Sequence, residues 1–138
     1  MIIMDNKELI RLALEARKAA YVPYSGFKVG AALLTKEGKV YKGCNIENAG
    51  YTPTNCAERT AFFKAVSEGE REFAAIAIVG GKGELPDNYA YPCGVCRQVM
   101  MEFCDPKTFR FITAISEDEY LDKTLEEMLP YGFGPSNL

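Results

Sequence analysis

Apolar and polar residues recur along the chain with the periods typical of helices and strands. From Asp5 to Ala20 the apolar residues return every three or four positions, which predicts an amphipathic helix with Asp5 as N-cap and Glu8 three residues later. The segment YVPYSG then breaks the helix, because Pro23 disfavours helical geometry at the residue before it and Gly26 frees the backbone. A loop is therefore expected before the first strand.

Two runs typical of strands follow this loop. FKVGAALLT and KVYKGCNIE flank the short connection KEGK, and this arrangement predicts an antiparallel hairpin. A helix from about Cys56 to Ser67 is expected next, because its alanines form a narrow face that lets a helix lie close on a sheet: Ala57, Ala61 and Ala65. Gly69 is a suitable stop signal for this helix.

The second half of the chain has the order strand, helix, strand. FAAIAIVGG is a continuous apolar run typical of a buried strand, and apolar residues recur at helical spacing after it, at Cys96, Val99, Met100 and Phe103. FRFITAI is a further β-like run, so the order predicts a right-handed parallel crossover, with a short last helix around Leu125 to Met128. The expected architecture is a mixed sheet with helices on both faces.

Composition and charge narrow the range of functions. At 138 residues the chain is long enough for one domain, residues 1–138, with one hydrophobic core. The 16 basic and 19 acidic residues give a net charge of −3, and without a basic stripe this argues against a nucleic-acid partner. The start MIIMDNKELIR lacks the apolar core of a signal peptide, and no run of about 18 apolar residues occurs, so we expect a cytoplasmic protein without a membrane partner.

The chain has five cysteines and no histidine. An odd number of cysteines without a secretion signal favours reduced thiols over a disulfide framework. The absence of histidine excludes the Ser-His and Cys-His nucleophilic machineries, because each needs an imidazole base. Any chemistry must therefore use carboxylates, thiolates or a metal.

Three of the cysteines are candidate metal ligands. Cys56, Cys93 and Cys96 lie where two helices are expected to start, and the partial positive charge of a helix N-terminus favours the thiolate form that binds metals. Three protein ligands leave tetrahedral zinc with one open position, as in catalytic sites. Two alternatives remain open: Cys93 and Cys96 are a redox pair or simply buried thiols, or Cys44 or Cys104 closes a structural zinc site.

Two charged residues follow Cys56 in the segment TNCAERTAFF. Glu58 can reach the open coordination position, where it would act as a general base for water; the alternative is a solvated helix glutamate. Arg59 is the nearest fixed cation in sequence, and it would offset the net negative charge that three thiolates bring to zinc. The alternative for Arg59 is a surface salt bridge.

The spacing of these residues matches a known signature. Cys56-Ala57-Glu58 and Pro92-Cys93-Gly94-Val95-Cys96 form the three-cysteine variant of H-x-E with P-C-x-x-C, the signature of zinc nucleobase deaminases. The chain resembles the short, homotetrameric cytidine deaminases over nearly its whole length, through PYSGFKVGAAL, GCNIENAGYTPTNCAERTA, YPCGVCRQVM and LPYGFGP. The resemblance implies an α/β fold, a three-layer α-β-α sandwich with a mixed five-stranded sheet. It also implies one zinc ion per subunit and a homotetramer in which neighbouring subunits complete the active sites.

The activity implied by this resemblance is hydrolytic deamination of cytidine and 2′-deoxycytidine to uridine and 2′-deoxyuridine with release of ammonia, a reaction of pyrimidine salvage. By the same resemblance zinc is bound by Cys56, Cys93 and Cys96. Glu58 is catalytic, and Arg59 lies against the ligand sulfurs. The substrate-binding residues that it implies are Phe27 against the pyrimidine and sugar, Asn45 and Glu47 on the 3′-hydroxyl, the backbone of Ala57 on the base carbonyl, and Tyr51 and Phe133 from a neighbouring subunit.

Residue chemistry supports part of this substrate site. An amide and a carboxylate accept hydrogen bonds from adjacent hydroxyls, which suits Asn45 and Glu47, although such residues also occupy strand ends for backbone reasons. The Glu47 carboxylate would repel a 5′-phosphate, which favours free nucleosides. Phe27 is of a type more often found in a core, whereas Phe133 lies in a Gly- and Pro-containing tail that can scarcely bury a ring.

Three other functions are compatible with parts of the sequence. A nucleic-acid deaminase would share the zinc site, but it should carry a cationic or aromatic surface for a single strand. A deaminase of a nucleoside-like antibiotic would keep the cysteines and Glu58 but lack the FKVGAAL and NIENAGY segments, which are present here. A zinc-stabilised module without activity would need neither Glu58 nor an open ligand position.

Overall fold

One sheet of five strands, covered by helices on both faces, accounts for most of the chain. The structure is a computed structural model and describes residues 4–138. The strands are β1 Lys28–Thr35, β2 Val40–Cys44, β3 Phe73–Gly81, β4 Arg110–Ser116 and β5 Glu119–Thr124. The helices are α1 Asn6–Arg17, α2 Ala57–Ser67, α3 Gly94–Phe103 and α4 Leu125–Met128, followed by a 3-10 turn at Pro135–Asn137. None of the helices in the described range is both long and apolar enough to cross a lipid bilayer.

The sheet has the strand order β2-β1-β3-β4-β5. β1 and β2 form the expected antiparallel hairpin, in register from Gly30 opposite Cys44 to Leu34 opposite Val40. β3 and β4, which flank α3 in the chain, pair in parallel, so the predicted strand, helix, strand unit is confirmed. The pairs β1 with β3 and β4 with β5 are antiparallel. The mixed five-stranded sheet implied by the family resemblance is therefore present.

The fifth strand is the element that the hydrophobic pattern did not predict. β5 reads EYLDKT and is exposed or half-buried along its whole length, because it is the last strand in the sheet order. Such a strand lacks the alternation of apolar and polar residues that identifies a half-buried strand, and its charges suit an edge that must not aggregate. It pairs with β4 because the chain turns back at once after Ser116, which lies opposite Glu119.

The first helix begins where the sequence predicts and ends earlier. Asp5 caps α1 by accepting a hydrogen bond from the backbone N–H of Lys7. The expected helix continued to Ala20, but α1 ends at Arg17. The reason is tertiary: Tyr21 is already paired with the segment that follows β2, so the chain must leave the helix before that residue.

Each face of the sheet has its own hydrophobic core. α1 packs on one face, where Leu9, Ile10 and Ala13 are buried. The helices α2, α3 and α4 pack on the other face, around Phe62 and Met100. This arrangement confirms the three-layer α-β-α sandwich.

Two glycines of the hairpin let helices approach the sheet closely. A Cβ at Gly30 would lie 2.1 Å from the carbonyl oxygen of Ala13 in α1, and one at Gly43 would lie 2.4 Å from that of Ala57 in α2. Neither position can hold a side chain unless the backbone shifts. The narrow alanine face predicted for α2 is fully buried at this contact: Ala57, Ala61 and Ala65. Its close approach holds the first turn of α2 beside the end of β2.

Candidate functional site

Two helix starts bring three cysteines together. Cys56 is the N-cap of α2 and Cys93 is the N-cap of α3, and neither side chain is used to cap its own helix. Cys96 lies in the first turn of α3 and is buried. The three Sγ atoms all lie within 4.8 Å of one another. The prediction that the two helix starts join three sulfurs is confirmed.

The spacing of the sulfurs suits a zinc ion. Cys93 Sγ lies 3.9 Å from Cys56 Sγ and 3.6 Å from Cys96 Sγ. Sulfurs bound at about 2.3 Å to a tetrahedral zinc ion lie about 3.8 Å apart, whereas a disulfide needs about 2.0 Å. Cys44 and Cys104 lie outside the cluster, so among residues 4–138 the cysteines supply three ligands and no closed four-cysteine site is formed.

Arg59 lies against the sulfur cluster. Its Nη2 donates a hydrogen bond to Cys56 Sγ at 3.4 Å, while its buried Nε has no hydrogen-bond partner among the described residues. A hydrogen bond with Cys96, followed by that from Arg59, lowers the pKa of the Cys56 thiol to about 5, although burial opposes this shift. No carboxylate of residues 4–138 pairs with Arg59, so its expected alternative as a surface salt bridge is not observed.

Glu58 is buried beside the same cluster. It lies in the first turn of α2 and is only 5% exposed, so the alternative of a solvated helix glutamate is wrong. Burial raises the pKa of its carboxyl to about 7, and the nearby Cys56 thiolate contributes to the same shift. A buried carboxyl group that lines a cavity next to three thiols is in a suitable place to exchange protons with a bound molecule.

A cavity of about 280 Å³ opens beside the sulfur cluster, large enough for one small molecule. Six of the residues predicted from the sequence line it: Phe27, Asn45, Cys56, Ala57, Glu58 and Cys93. The lining also includes residues that the sequence did not indicate: Val29, Ile78, Tyr89, Ala90 and Tyr91. The two tyrosines lie just before Cys93, and aromatic residues next to a ligand pair are the signal that could have identified them.

Asn45 and Glu47 are engaged with the loop before β1. The Asn45 side chain accepts a hydrogen bond from Val29 N at 2.9 Å and donates one to Phe27 O at 2.8 Å. The Glu47 carboxylate accepts hydrogen bonds from the backbone N–H groups of Tyr24 and Ser25, at 3.0 and 3.1 Å, and from the Ser25 hydroxyl. The alternative of a backbone role is therefore observed for both residues, and of the two only Asn45 lines the cavity.

Neither Tyr51 nor Phe133 is among the described residues that line the cavity of their own chain. Tyr51 is 77% exposed and Phe133 is 57% exposed. The tail that carries Phe133 is held on α3, because Gln98 Nε2 donates a hydrogen bond to Phe133 O at 2.8 Å. The structure thus presents both aromatic rings on the outside of the chain.

The two halves of the cysteine signature, distant in sequence, face one cavity in an α/β sandwich, and this combination defines the class of zinc-dependent nucleobase deaminases. A family model described as the cytidine and deoxycytidylate deaminase zinc-binding region matches residues 4–112. The chain belongs to this family, and the matched region contains the three cysteines of the cluster.

Individual relatives match almost the whole chain. It is 48% identical over 135 residues to the cytidine deaminase of Sporosarcina psychrophila, covering 98% of this chain and 96% of the relative. It is 52% identical over 131 residues to that of Halalkalibacterium halodurans, covering 94% and 95%. Its fold matches the crystal structure of cytidine deaminase from Burkholderia pseudomallei with a TM-score of 0.86 and 47% identity, covering 94% of this chain and 100% of that one.

Proposed function

We propose that this chain is a cytidine deaminase that converts cytidine and 2′-deoxycytidine into the uracil nucleosides with release of ammonia. The observation that carries the proposal is the buried Glu58 carboxyl in a cavity beside three thiols spaced for zinc. The relatives named cytidine deaminase, at 48% and 52% identity, support the same activity. One domain, residues 1–138, would carry it. The five free thiols fit a reducing compartment, which favours pyrimidine salvage in the cytoplasm.

The metal of this reaction would be one zinc ion per subunit, held by Cys56, Cys93 and Cys96. When bound, zinc lowers the pKa of water from about 15.7 towards 7 and so supplies hydroxide at neutral pH for attack on C4 of the pyrimidine. Three thiolates bring an excess of negative charge that opposes this effect. Arg59, which donates to Cys56 Sγ, would withdraw part of that charge.

Glu58 would carry the protons of the reaction. Its carboxylate takes one proton from the attacking water and delivers it to N3 of the base. It then takes the second proton from the new hydroxyl on C4, as the C4 carbonyl forms, and gives it to the amino group that leaves as ammonia. One water molecule is consumed, a C4–O bond forms, and the C4–N bond breaks. Burial of Glu58 suits this role because bulk water is kept from competing for its proton.

The other residues of the cavity would hold the nucleoside. Phe27 lines the cavity and can pack against the pyrimidine and the sugar. Ala57 is the first residue of α2, so its N–H has no acceptor within the helix and can donate to the base carbonyl. Asn45 and Glu47 would accept from ribose hydroxyls with the lone pairs that their loop contacts leave available.

Free nucleosides, rather than nucleotides or polynucleotides, are the expected substrates. In the proposed site the Glu47 carboxylate would bring a negative charge to the sugar end of the nucleoside, so kcat/KM for cytidine and deoxycytidine should exceed that for their 5′-monophosphates by at least about tenfold. Ammonia release should be measured for both nucleosides, both monophosphates and short single-stranded oligonucleotides. In Glu47→Gln the difference in kcat/KM between nucleoside and monophosphate should become smaller, because the charge that repels the phosphate is removed.

Two results of this substrate comparison would contradict the proposal. Turnover confined to oligonucleotides would indicate a nucleic-acid deaminase. No ammonia release from any of these compounds, in protein that carries zinc, would favour a zinc-stabilised module without activity.

Tyr51 and Phe133 would complete the cavity of a neighbouring subunit in a homotetramer. Both rings are largely exposed and lie outside the cavity of their own chain, which is the arrangement that donation to a neighbour requires. Exposed aromatic rings are also typical of protein interfaces. Since the short cytidine deaminases that this chain resembles are homotetramers, sedimentation should give the mass of four chains.

Mixed tetramers test this sharing of active sites directly. Glu58→Gln and Phe133→Ala, each nearly inactive alone at low cytidine concentration, should regain about a quarter of wild-type activity when co-assembled in equal amounts. The gain arises because some sites then combine an intact Glu58 with a Phe133 ring from the next subunit. A mixture of Glu58→Gln with Cys96→Ala is the control and should stay inactive, since one subunit supplies both residues. Activity of the first mixture equal to the mean of its parents would refute the sharing.

A further inference from the structure

Arg17 ends α1 and is only 5% exposed, which is rare for an arginine. Its Nε donates a hydrogen bond to Lys28 O at 3.0 Å, and its Nη1 donates to Glu84 O at 2.7 Å. Its Nη2 donates to Gly81 O at 2.6 Å and to Gly83 O at 2.5 Å. One guanidinium therefore joins four carbonyls from two separate segments of the chain.

The charge of Arg17 is buried without a carboxylate in ion-pair contact among residues 4–138. Burial lowers the pKa of its guanidinium, and the more distant Asp87 opposes that shift. Carbonyl dipoles take the place of water around it, so the five N–H donors of the side chain are largely satisfied. An apolar side chain of similar size would fill the same space without a buried charge. Lys28 and Gly81 are already paired in the sheet, so what Arg17 adds is the attachment of Gly83 and Glu84, beyond that last pair, to the start of β1.

These two segments form walls of the cavity described above. Lys28 lies between Phe27 and Val29, which both line the cavity. Gly81 is the last residue of β3, residues 83–84 begin the connection from β3 to α3, and this connection returns to the cavity at residues 89–91. Arg17 itself is not part of the lining. Its hydrogen bonds hold the start of β1 and the start of the connection together from outside the cavity lining.

A second buried side chain anchors the far end of the same connection. Thr113 in β4 donates a hydrogen bond from its Oγ1 to Ala90 O at 2.6 Å. The two walls meet over Gly80, where a Cβ would lie 3.0 Å from Ala90 Cβ and 3.1 Å from a ring carbon of Phe27. Both walls therefore pack closely over Gly80, between the contacts made by Arg17 and by Thr113.

We propose that Arg17 is a positioning residue for the deamination, which holds the β1 wall and the β3–α3 connection at the spacing that fits the nucleoside. This inference rests on the proposed function. The sulfur cluster has independent support, because Arg97 Nε donates to Pro92 O just before Cys93. Loss of Arg17 should therefore weaken substrate binding more than it slows the chemical step.

The test is the kinetics of Arg17→Met in the full, zinc-loaded protein. We expect KM for cytidine to rise about tenfold while kcat per bound zinc changes less than about threefold. Arg17→Lys keeps a donor for the carbonyls and should restore part of the affinity. Thr113→Val, which removes the second anchor at nearly constant shape, should also raise KM. Hydrogen exchange of residues 82–91 should be faster in all three variants.

The matched control is Arg11→Met on the same helix. Arg11 is exposed and pairs with Glu117 at 2.7 Å, away from the cavity. The KM of Arg11→Met for cytidine and its hydrogen exchange at residues 82–91 should therefore equal those of the wild type. A wild-type KM in folded Arg17→Met overturns the inference, as does a loss of kcat at constant KM. If that variant does not fold, unchanged KM values in Arg17→Lys and Thr113→Val overturn it. Failure of the proposed function is a separate result, because the wild type would then release no ammonia.

Discussion

Glu58→Gln is expected to lose ammonia release from cytidine by about a thousandfold or more while it keeps zinc and fold. The side chain is buried beside the sulfur cluster, and the amide has nearly the same shape as the carboxyl. It cannot take a proton from water or return one to N3 and the leaving amino group, so every proton transfer assigned to Glu58 fails at once. Zinc content by metal analysis and thermal unfolding should match the wild type.

Glu68→Gln is the matched control for this variant. Glu68 is the C-cap of the same helix and is exposed, so its loss of charge should leave turnover unchanged. A zinc-loaded Glu58→Gln protein with more than about one tenth of wild-type turnover would contradict the proton-transfer role. Unchanged turnover together with unchanged zinc would point instead to a base outside the described cavity.

Cys96→Ala is expected to lose nearly all bound zinc and, with it, nearly all deamination. Only two of the three sulfurs remain to hold the ion, and removal of a direct ligand leaves an incomplete site. Zinc per subunit should fall from about one to below about one tenth after dialysis against a weak chelator. Retention of zinc at the wild-type level would show that the cluster is not the metal site.

Two variants sharpen this metal test. Cys104→Ala removes a thiol outside the cluster, whose pKa is raised by burial, so zinc content should stay at the wild-type level. Arg59→Ala keeps the three ligands but removes the cation that donates to Cys56 Sγ. Its turnover or zinc retention, or the assembly of the protein, should therefore fall by less than in Cys96→Ala. No change in any of the three properties would refute the role of charge compensation.

Most of the fold follows from local patterns in the sequence. The period of apolar residues located α1, α2 and α3, and the apolar runs located β1 to β4, because these elements bury one face or both. β5 was not predicted because an edge strand buries too few side chains to show a hydrophobic pattern. The end of α1 at Arg17 could not be predicted from the sequence either, because it depends on the pairing of Tyr21 with Ile46, more than twenty residues further along the chain.

The chemistry of the site was more accessible than its walls. Metal ligands and a proton carrier need particular residue types at particular spacings, so Cys56, Glu58 and the pair Cys93 and Cys96 can be identified one by one. The cavity walls obey no such rule. Tyr89 and Tyr91 line it because a long connection folds back over Gly80, and the connection itself has no periodic pattern.

The sequence by itself determined the donor set, the absence of an imidazole base and the order of the elements other than β5, because these depend on residue type and local spacing. Tertiary structure alone decided that Glu58 is buried and that Glu47 is bound to the Tyr24–Ser25 turn before β1. It also decided that Arg17 joins two walls of the cavity. The physical reason is that burial and hydrogen-bond partners depend on residues distant in sequence, which local propensity does not bring together.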